Sequence, residues 1–292
     1  MEGDIGFGPA MTDQRRRRAA ALIGDASIEL SPRDTLNGEE LRDLLVPGTM
    51  VFVNHPGSVT HHDIVAACTR LQRAGFIPVP HVAARRLASF TQARDFLERA
   101  VAEAEITRAL IVAGDPDRPV GPFRDSLDLL TTGVVEQSGV GQIILAGHPE
   151  GHPLVDRRTL DTALRAKLTL ADERDLSASV VSQFAFDPAP IRDWIASLRA
   201  QGITCPVRIG VAGPAGVATL AKFAVRCGIG ASLRALGRGH AAFARILVEA
   251  GPDPLIDALV ADEDAAAPID GLHLFTFGGL RRTAAWIRSR TA

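Results

Sequence analysis

Six polar clusters, each at the end of a short apolar run, carry the residues that chemistry would use. They are Glu29 in Ser27-Ile28-Glu29-Leu30, His81 after Ile77-Pro78-Val79-Pro80, and Gly114-Asp115 after Ala109 to Ala113. The string His148-Pro149-Glu150-Gly151-His152-Pro153, the pair Ser182-Gln183, and Thr276 after Leu272-His273-Leu274-Phe275 complete the set. Glu29 sits between two apolar neighbours, so it is a partly desolvated acid if it faces a barrel mouth. Desolvation is expected to raise its pKa and suit it to general acid work. A salt bridge inside the barrel is the other reading. Gly114 permits close approach of a ligand to the backbone. Asp115 is suited to accept from a ring N–H or to hold negative charge near a redox ring, or else belongs to a simple turn in Asp-Pro-Asp-Arg-Pro.

Two imidazoles and a carboxylate within His148 to His152 invite a metal reading. Two prolines and a glycine place them on a loop, and the helical spacing of zinc proteases is missing. His61-His62-Asp63 starts a helix and is no better placed. No metal is expected, and a loop histidine near a phosphate or substrate is the favoured role. Gln183 at a strand end can both donate to and accept from a heterocycle, or be a buried polar residue satisfied within the barrel. Gly210-Val211-Ala212-Gly213-Pro214-Ala215-Gly216 is similar to an anion-binding strand-to-helix turn, without the dinucleotide fingerprint.

These clusters need elements to hold them. Strands are expected over 26–30, 49–54, 77–81, 108–113, 141–147, 178–184, 206–211 and 272–276, mostly as continuous apolar runs of the kind parallel strands show. Helices are expected over 38–45, 60–74, 91–104, 125–137, 157–170, 188–200, 216–227 and 279–289. Asn37, Thr60, Asp125 and Asp187 are candidate N-caps. Gly75 and Gly202 follow helices as C-terminal glycines do. Eight β-α pairs in register predict an α/β fold, a single (β/α)8 TIM barrel with its chemistry at the C-terminal ends of the strands. The barrel is assigned to 25–292. Residues 1–24 form an N-terminal extension, helical over 11–22 and capped by Thr12 or Asp13. Extra helices near 231–250 and 253–261 precede the last strand.

Composition narrows the class. The chain has 292 residues and a formal net charge of −2, so no nucleic-acid surface is expected. Arg15 to Arg18 is read as a solvated helix face. No apolar run nears the ~20 residues of a membrane helix, and the first nine residues lack a signal-peptide pattern. A cytoplasmic enzyme is expected, and a homo-oligomer is compatible with it. Cys68, Cys205 and Cys227 are scattered, with no disulfide or metal spacing; Cys68 and Cys227 are expected to pack within helices. There is no tyrosine.

Taken in order, the clusters resemble the methylenetetrahydrofolate reductase family. Ser27-Ile28-Glu29-Leu30-Ser31-Pro32-Arg33 resembles its Ser-Phe-Glu-Phe-Phe-Pro-Pro-(Arg/Lys). Pro80-His81 is similar to its Pro-His, Gly114-Asp115-Pro116 to its Arg-Gly-Asp-x-Pro, and His148 to Pro153 to its Tyr-Pro-Glu-x-His-Pro. Ser182 to Asp187 resembles its Thr-Gln-Phe-Phe-Phe-Asp, and Leu272 to Thr276 its Phe-His-Phe-Tyr-Thr. The resemblance runs from about 26 to 290. It implies an oxidoreductase of one-carbon metabolism that interconverts 5,10-methylenetetrahydrofolate and 5-methyltetrahydrofolate with FAD and NADH or NADPH. By resemblance, Glu29 protonates the folate at N10 and Asp115 binds the pterin and tunes the flavin. Gln183 serves pterin and nicotinamide recognition, and Phe184 and Phe275 line the ring pocket. His81, Gly114, His148, His152, Asp161 and Lys167 would hold the flavin.

The departures fall on the flavin side. Ala113 replaces the arginine before Gly-Asp, His148 replaces a tyrosine, and Gly278-Gly279 replace Asn-Arg. Asp172 to Asp175 are inserted before the sixth strand. Flavin binding is therefore expected to be weakened or absent. The alternatives are direct hydride transfer from NAD(P)H without flavin, and a catalytically idle folate- or flavin-binding subunit. A metal-dependent barrel hydrolase is more distant.

Overall fold

A computed structural model describes residues 12–226, 251–261 and 269–291. Its eight strands are β1 (Ser27–Leu30), β2 (Met50–Val53), β3 (Ile77–Ala83), β4 (Arg108–Val112), β5 (Gln142–Gly147), β6 (Ser177–Phe184), β7 (Val207–Ala212) and β8 (Gly271–Phe275). All pair in parallel and in sequence order, and β8 closes on β1, giving the (β/α)8 barrel. Each strand lies within two residues of its expected limits. The apolar runs are long because both faces are covered. Ile28, Val51, Ile111, Leu145 and Ile209 point out to the helices, while Phe52, Val79, Leu110, Ile144 and Val181 fill the inside. Burying each such side chain contributes roughly 1.5–3 kcal/mol.

The connecting helices are α2 (Gly38–Leu44), α3 (His61–Arg73), α4 (Phe90–Ala104), α5 (Ser126–Thr131), α6 (Val134–Gln137), α7 (Arg157–Glu173), α8 (Pro188–Ala200) and α9 (Val217–Arg226). Two more, α10 (Asp253–Ala261) and α11 (Leu280–Thr291), flank β8. Asn37, Thr60, Asp125 and Asp187 each cap a helix with a side-chain oxygen, and each such cap stabilises by about 1 kcal/mol. The stretch expected as one helix over 125–137 is two. Gly133 adopts φ +79 between α5 and α6, a conformation that ends the first helix.

A leading helix, α1 (Asp13–Gly24), is capped by Thr12. Its arginine run is not simply a solvated face. Arg15 donates to the Ala261 carbonyl at 2.8 Å and Arg18 to that of Ile269 at 3.0 Å, while Ala19, Leu22 and Ile23 are buried. The helices expected near 231–250, and Cys227, lie outside the described residues. Cys68 is buried in α3, where burial pushes its thiol pKa up. Among the described residues, no helix is long and apolar enough to cross a membrane.

Candidate active site

β1 alternates, with Ile28 and Leu30 packed outward, so Glu29 points into the barrel near its C-terminal mouth. Three residues from other strands converge on it. Asn54 follows β2 and donates from Nδ2 to Glu29 Oε1 at 3.0 Å. His81 on β3 and His273 on β8 bring their Nε2 atoms to 3.8 and 3.9 Å from the other oxygen, Oε2. The ring of Phe52 lies beside both imidazoles, 6.1 Å from His81 and 4.4 Å from His273 between centroids. Below, Ser27 Oγ is 3.0 Å from His273 Nδ1. The same hydroxyl donates to the Leu272 carbonyl at 3.3 Å, which ties Ser27 to β8.

This cluster overturns the expected ionisation of Glu29. Burial by itself pushes the carboxyl up, but the approach of His273, the field of His81 and the Asn54 amide outweigh it, and the pKa is lowered. His81 moves down too. Burial takes it to about 4, against the pull of Glu29. At neutral pH the pair is therefore carboxylate and neutral imidazole. The sign differs from expectation because the flanking apolar residues are not the neighbours that decide it.

At the end of β4, Gly114 adopts φ +92, and Asp115 pairs with Arg86 at 2.9 Å. Arg86 closes a short 3-10 turn after β3, from Ala84 to Arg86. Arg85, beside it, spans the β4–α5 loop and donates to the carbonyls of Arg124 (2.6 Å) and Pro116 (3.3 Å). Positive charge missing at Ala113 is thus present next door, though engaged within the protein.

The His148 to His152 loop follows β5. The two rings meet edge to face at 5.6 Å, and Arg157 at the start of α7 staples the loop through the carbonyls of His148 and Pro149. Burial, with His152, Lys167 and Arg157 nearby, takes His148 to about 4. Burial also lowers His152. Lys167 is buried in α7, its Nζ 3.3 Å from Ser126 Oγ, with a lowered pKa. Asp161 lies on the second turn of α7. The insertion at 172–175 does not touch the mouth. It lengthens α7, and Arg174 clamps Leu130, Thr131 and Glu136.

The opposite arc of the mouth is aromatic. Val181 pairs with Arg208 but Phe184 pairs with Gly210, so β6 carries a bulge at Ser182-Gln183. Ser182 Oγ holds the bulge by accepting from Gly210 N at 2.8 Å. Gln183 is half-buried within it. Phe184 is 2 % exposed; its ring lies 5.6 Å from Phe275 and 4.8 Å from Phe277. Phe277 stacks on Phe275 and on Phe223, at 5.6 and 4.1 Å. Gly210 within β7 and Gly213 just after it serve this packing. A Cβ on Gly210 would meet Ser182 O at 2.2 Å, and one on Gly213 would meet Thr283 Oγ1 at 2.7 Å. Gly213 N already donates to the Phe275 carbonyl.

No protein-family model matches the chain. Among solved structures, an uncharacterized protein from Clostridium thermocellum that binds two copies of 5-methyl-5,6,7,8-tetrahydrofolic acid is similar at TM-score 0.49 and 8 % identity, covering 93 % of this chain and 95 % of that one. Yersinia pestis DHPS with a pterine-sulfa conjugate is similar at TM-score 0.45 and 10 % identity, covering 92 % and 94 %. Likeness at this level carries no weight for the site, whose chemistry rests on its own residues.

The structure therefore brings Glu29 and His81 together and places Phe184 and Phe275 on one wall. Gly114 and Asp115 stand at the neighbouring strand end. Lys167 is withdrawn behind α5. Sequence reasoning missed Asn54, Arg86 and the engagement of His273 with Glu29. Their only signal was a polar residue directly after an apolar strand, as in Val53-Asn54 and Ala83-Ala84-Arg85-Arg86. No group of three or more histidine, cysteine or acidic residues suited to a metal occurs among the described residues.

Proposed function

We propose that this barrel binds a reduced folate at its mouth and interconverts 5,10-methylenetetrahydrofolate and 5-methyltetrahydrofolate, exchanging hydride directly with NAD(P)H. The observation that carries this reading is Glu29, a carboxylate at the first strand end with Asn54, His81 and His273 converging on it, across the mouth from a wall of phenyl rings. The ordered motifs that resemble the reductase family support it.

In the reducing direction the bond from the bridging carbon to N10 breaks and N10 takes a proton. The resulting N5 iminium accepts hydride at that carbon. Glu29 handles the N10 proton, and its negative charge favours the iminium. In the free protein it is ionised, so it is ready as a base for the oxidation. For the reduction it must first gain a proton. Transfer by a positioned side chain contributes roughly 10²–10⁴-fold. Phe275 and Phe277 supply an apolar wall for the substrate ring, and Asp115 and Gln183 stand at the ends of neighbouring strands.

The residues that the resemblance assigns to flavin do not fit it. A flavin diphosphate needs cations, yet His81 and His148 are neutral at pH 7. Lys167 is buried on Ser126, and His81 stands inside the barrel mouth, 3.8 Å from the Glu29 carboxylate. Direct transfer from the nicotinamide is therefore preferred, and the protein's part is positioning and proton handling. The test is a pair of titrations of the purified chain, with 5-methyltetrahydrofolate by calorimetry and with FAD by visible absorbance. Stoichiometric folate binding without retained flavin is expected. No folate binding would overturn the reading, and a full equivalent of FAD kept through dialysis would overturn its flavin-free form.

A further inference from the structure

We propose that Asn54 is a recognition and positioning residue, which orients Glu29 and accepts a hydrogen bond from an N–H of the bound substrate. The inference rests on the folate reading above and adds a residue to it. A carboxylate has no proton to give at neutral pH, so the Asn54 amide must turn its Nδ2 toward Glu29, as the 3.0 Å contact shows. That choice fixes Oδ1 in the opposite sense. Oδ1 is buried and has no hydrogen-bond partner among the described residues, and a buried carbonyl left so is unfavourable unless a donor arrives. The backbone cannot relax it away, because Asn54 N is held by the Leu30 carbonyl at 3.1 Å. His81 Nε2, on the other side of the carboxylate, is likewise buried without a partner.

The free site is thus short of hydrogen bonds on both flanks of Glu29. Oδ1 calls specifically for a donor, which the ring N–H and amino groups of a tetrahydropterin supply and an oxygen-only ligand such as a carboxylate does not. With Nδ2 on Glu29 and Oδ1 on the substrate, one side chain sets the acid and the ring in a common frame.

The experiment is calorimetric titration of 5-methyltetrahydrofolate into wild type, Asn54→Leu and Asn54→Asp, each between pH 6 and pH 8. Asn54→Leu removes both hydrogen bonds and should weaken binding by about tenfold. Asn54→Asp keeps the shape and places a second carboxylate beside Glu29, so the pair should retain a proton to higher pH. Its affinity should then change with pH across the range in which wild type is flat, an effect that a purely structural role would not produce. Wild-type binding together with unchanged affinity in both variants would overturn the role of Asn54 and leave the folate reading standing. Absence of wild-type binding would overturn both.

Discussion

The two arcs of the barrel mouth are built on different physics. Over β1–β3, with His273 reaching in from β8, polar groups meet with unfilled hydrogen-bonding capacity, as at Asn54 Oδ1 and His81 Nε2. Over β6–β8, phenyl rings from Phe184, Phe275 and Phe277 pack against one another and against α9. The first arc is costly in the free protein, since buried polar groups lose water without full replacement. The second is stabilising. On the proposed reading, the aromatic arc would hold a planar ring and the polar arc would act on it.

Substitutions that separate the arcs should separate function from stability. Glu29→Gln removes the proton-handling group and keeps the shape, so turnover should fall by roughly 10²–10⁴-fold, with folding intact by circular dichroism. Near-native turnover would remove Glu29 from catalysis. Phe184→Ala acts on the other arc. Truncating a buried Phe costs about 3–5 kcal/mol, to be read as a lowered urea midpoint, and a change under about 1 kcal/mol would mean that the ring cluster is not a packing unit.

Acid should destabilise the fold through its buried histidines. His55, His81 and His148 all have folded pKa values of about 4, against an ordinary 6.5. Burial is the largest cause for each. As pH falls through 6.5, the unfolded chain takes up protons that the folded one refuses, so stability is lost between about 6.5 and 4. The lowered Glu29 adds a further loss below its ordinary 4.5. Discounted for partial exposure, each histidine contributes about 1–2 kcal/mol. His148→Gln should make the melting temperature fall less steeply over that window, and an unchanged slope would count against a neutral His148. The smallest effect is expected at Arg86→Gln. Its ion pair with Asp115 is half-exposed, so chemical denaturation should show a loss of only about 1 kcal/mol.

Much of the fold was legible because parallel strands covered on both faces leave long apolar runs, and because caps such as Asn37 and Thr60 announce themselves. The break at Gly133 was not, since the apolar pattern runs on through it. Nor was the bulge at Ser182-Gln183, which depends on pairing with β7 and redirects Phe184. In the site, Glu29 was legible as a strand-end carboxylate. Its ionisation was not. Asn54 comes from 25 residues away, and His273 is aligned by Ser27 across 246 residues of chain. The first needs β2 beside β1, and the second is made only when β8 closes on β1.

We propose that this chain alone, without flavin, passes hydride directly between nicotinamide and folate while Glu29 carries the N10 proton. The most direct test is NADH and NADPH oxidation by flavin-free protein, dependent on added 5,10-methylenetetrahydrofolate, with Glu29→Gln measured alongside. Turnover by wild type, not raised by added FAD and abolished or nearly so in the variant, is the predicted result. No turnover under any of these conditions, or turnover that appears only with FAD, would contradict it.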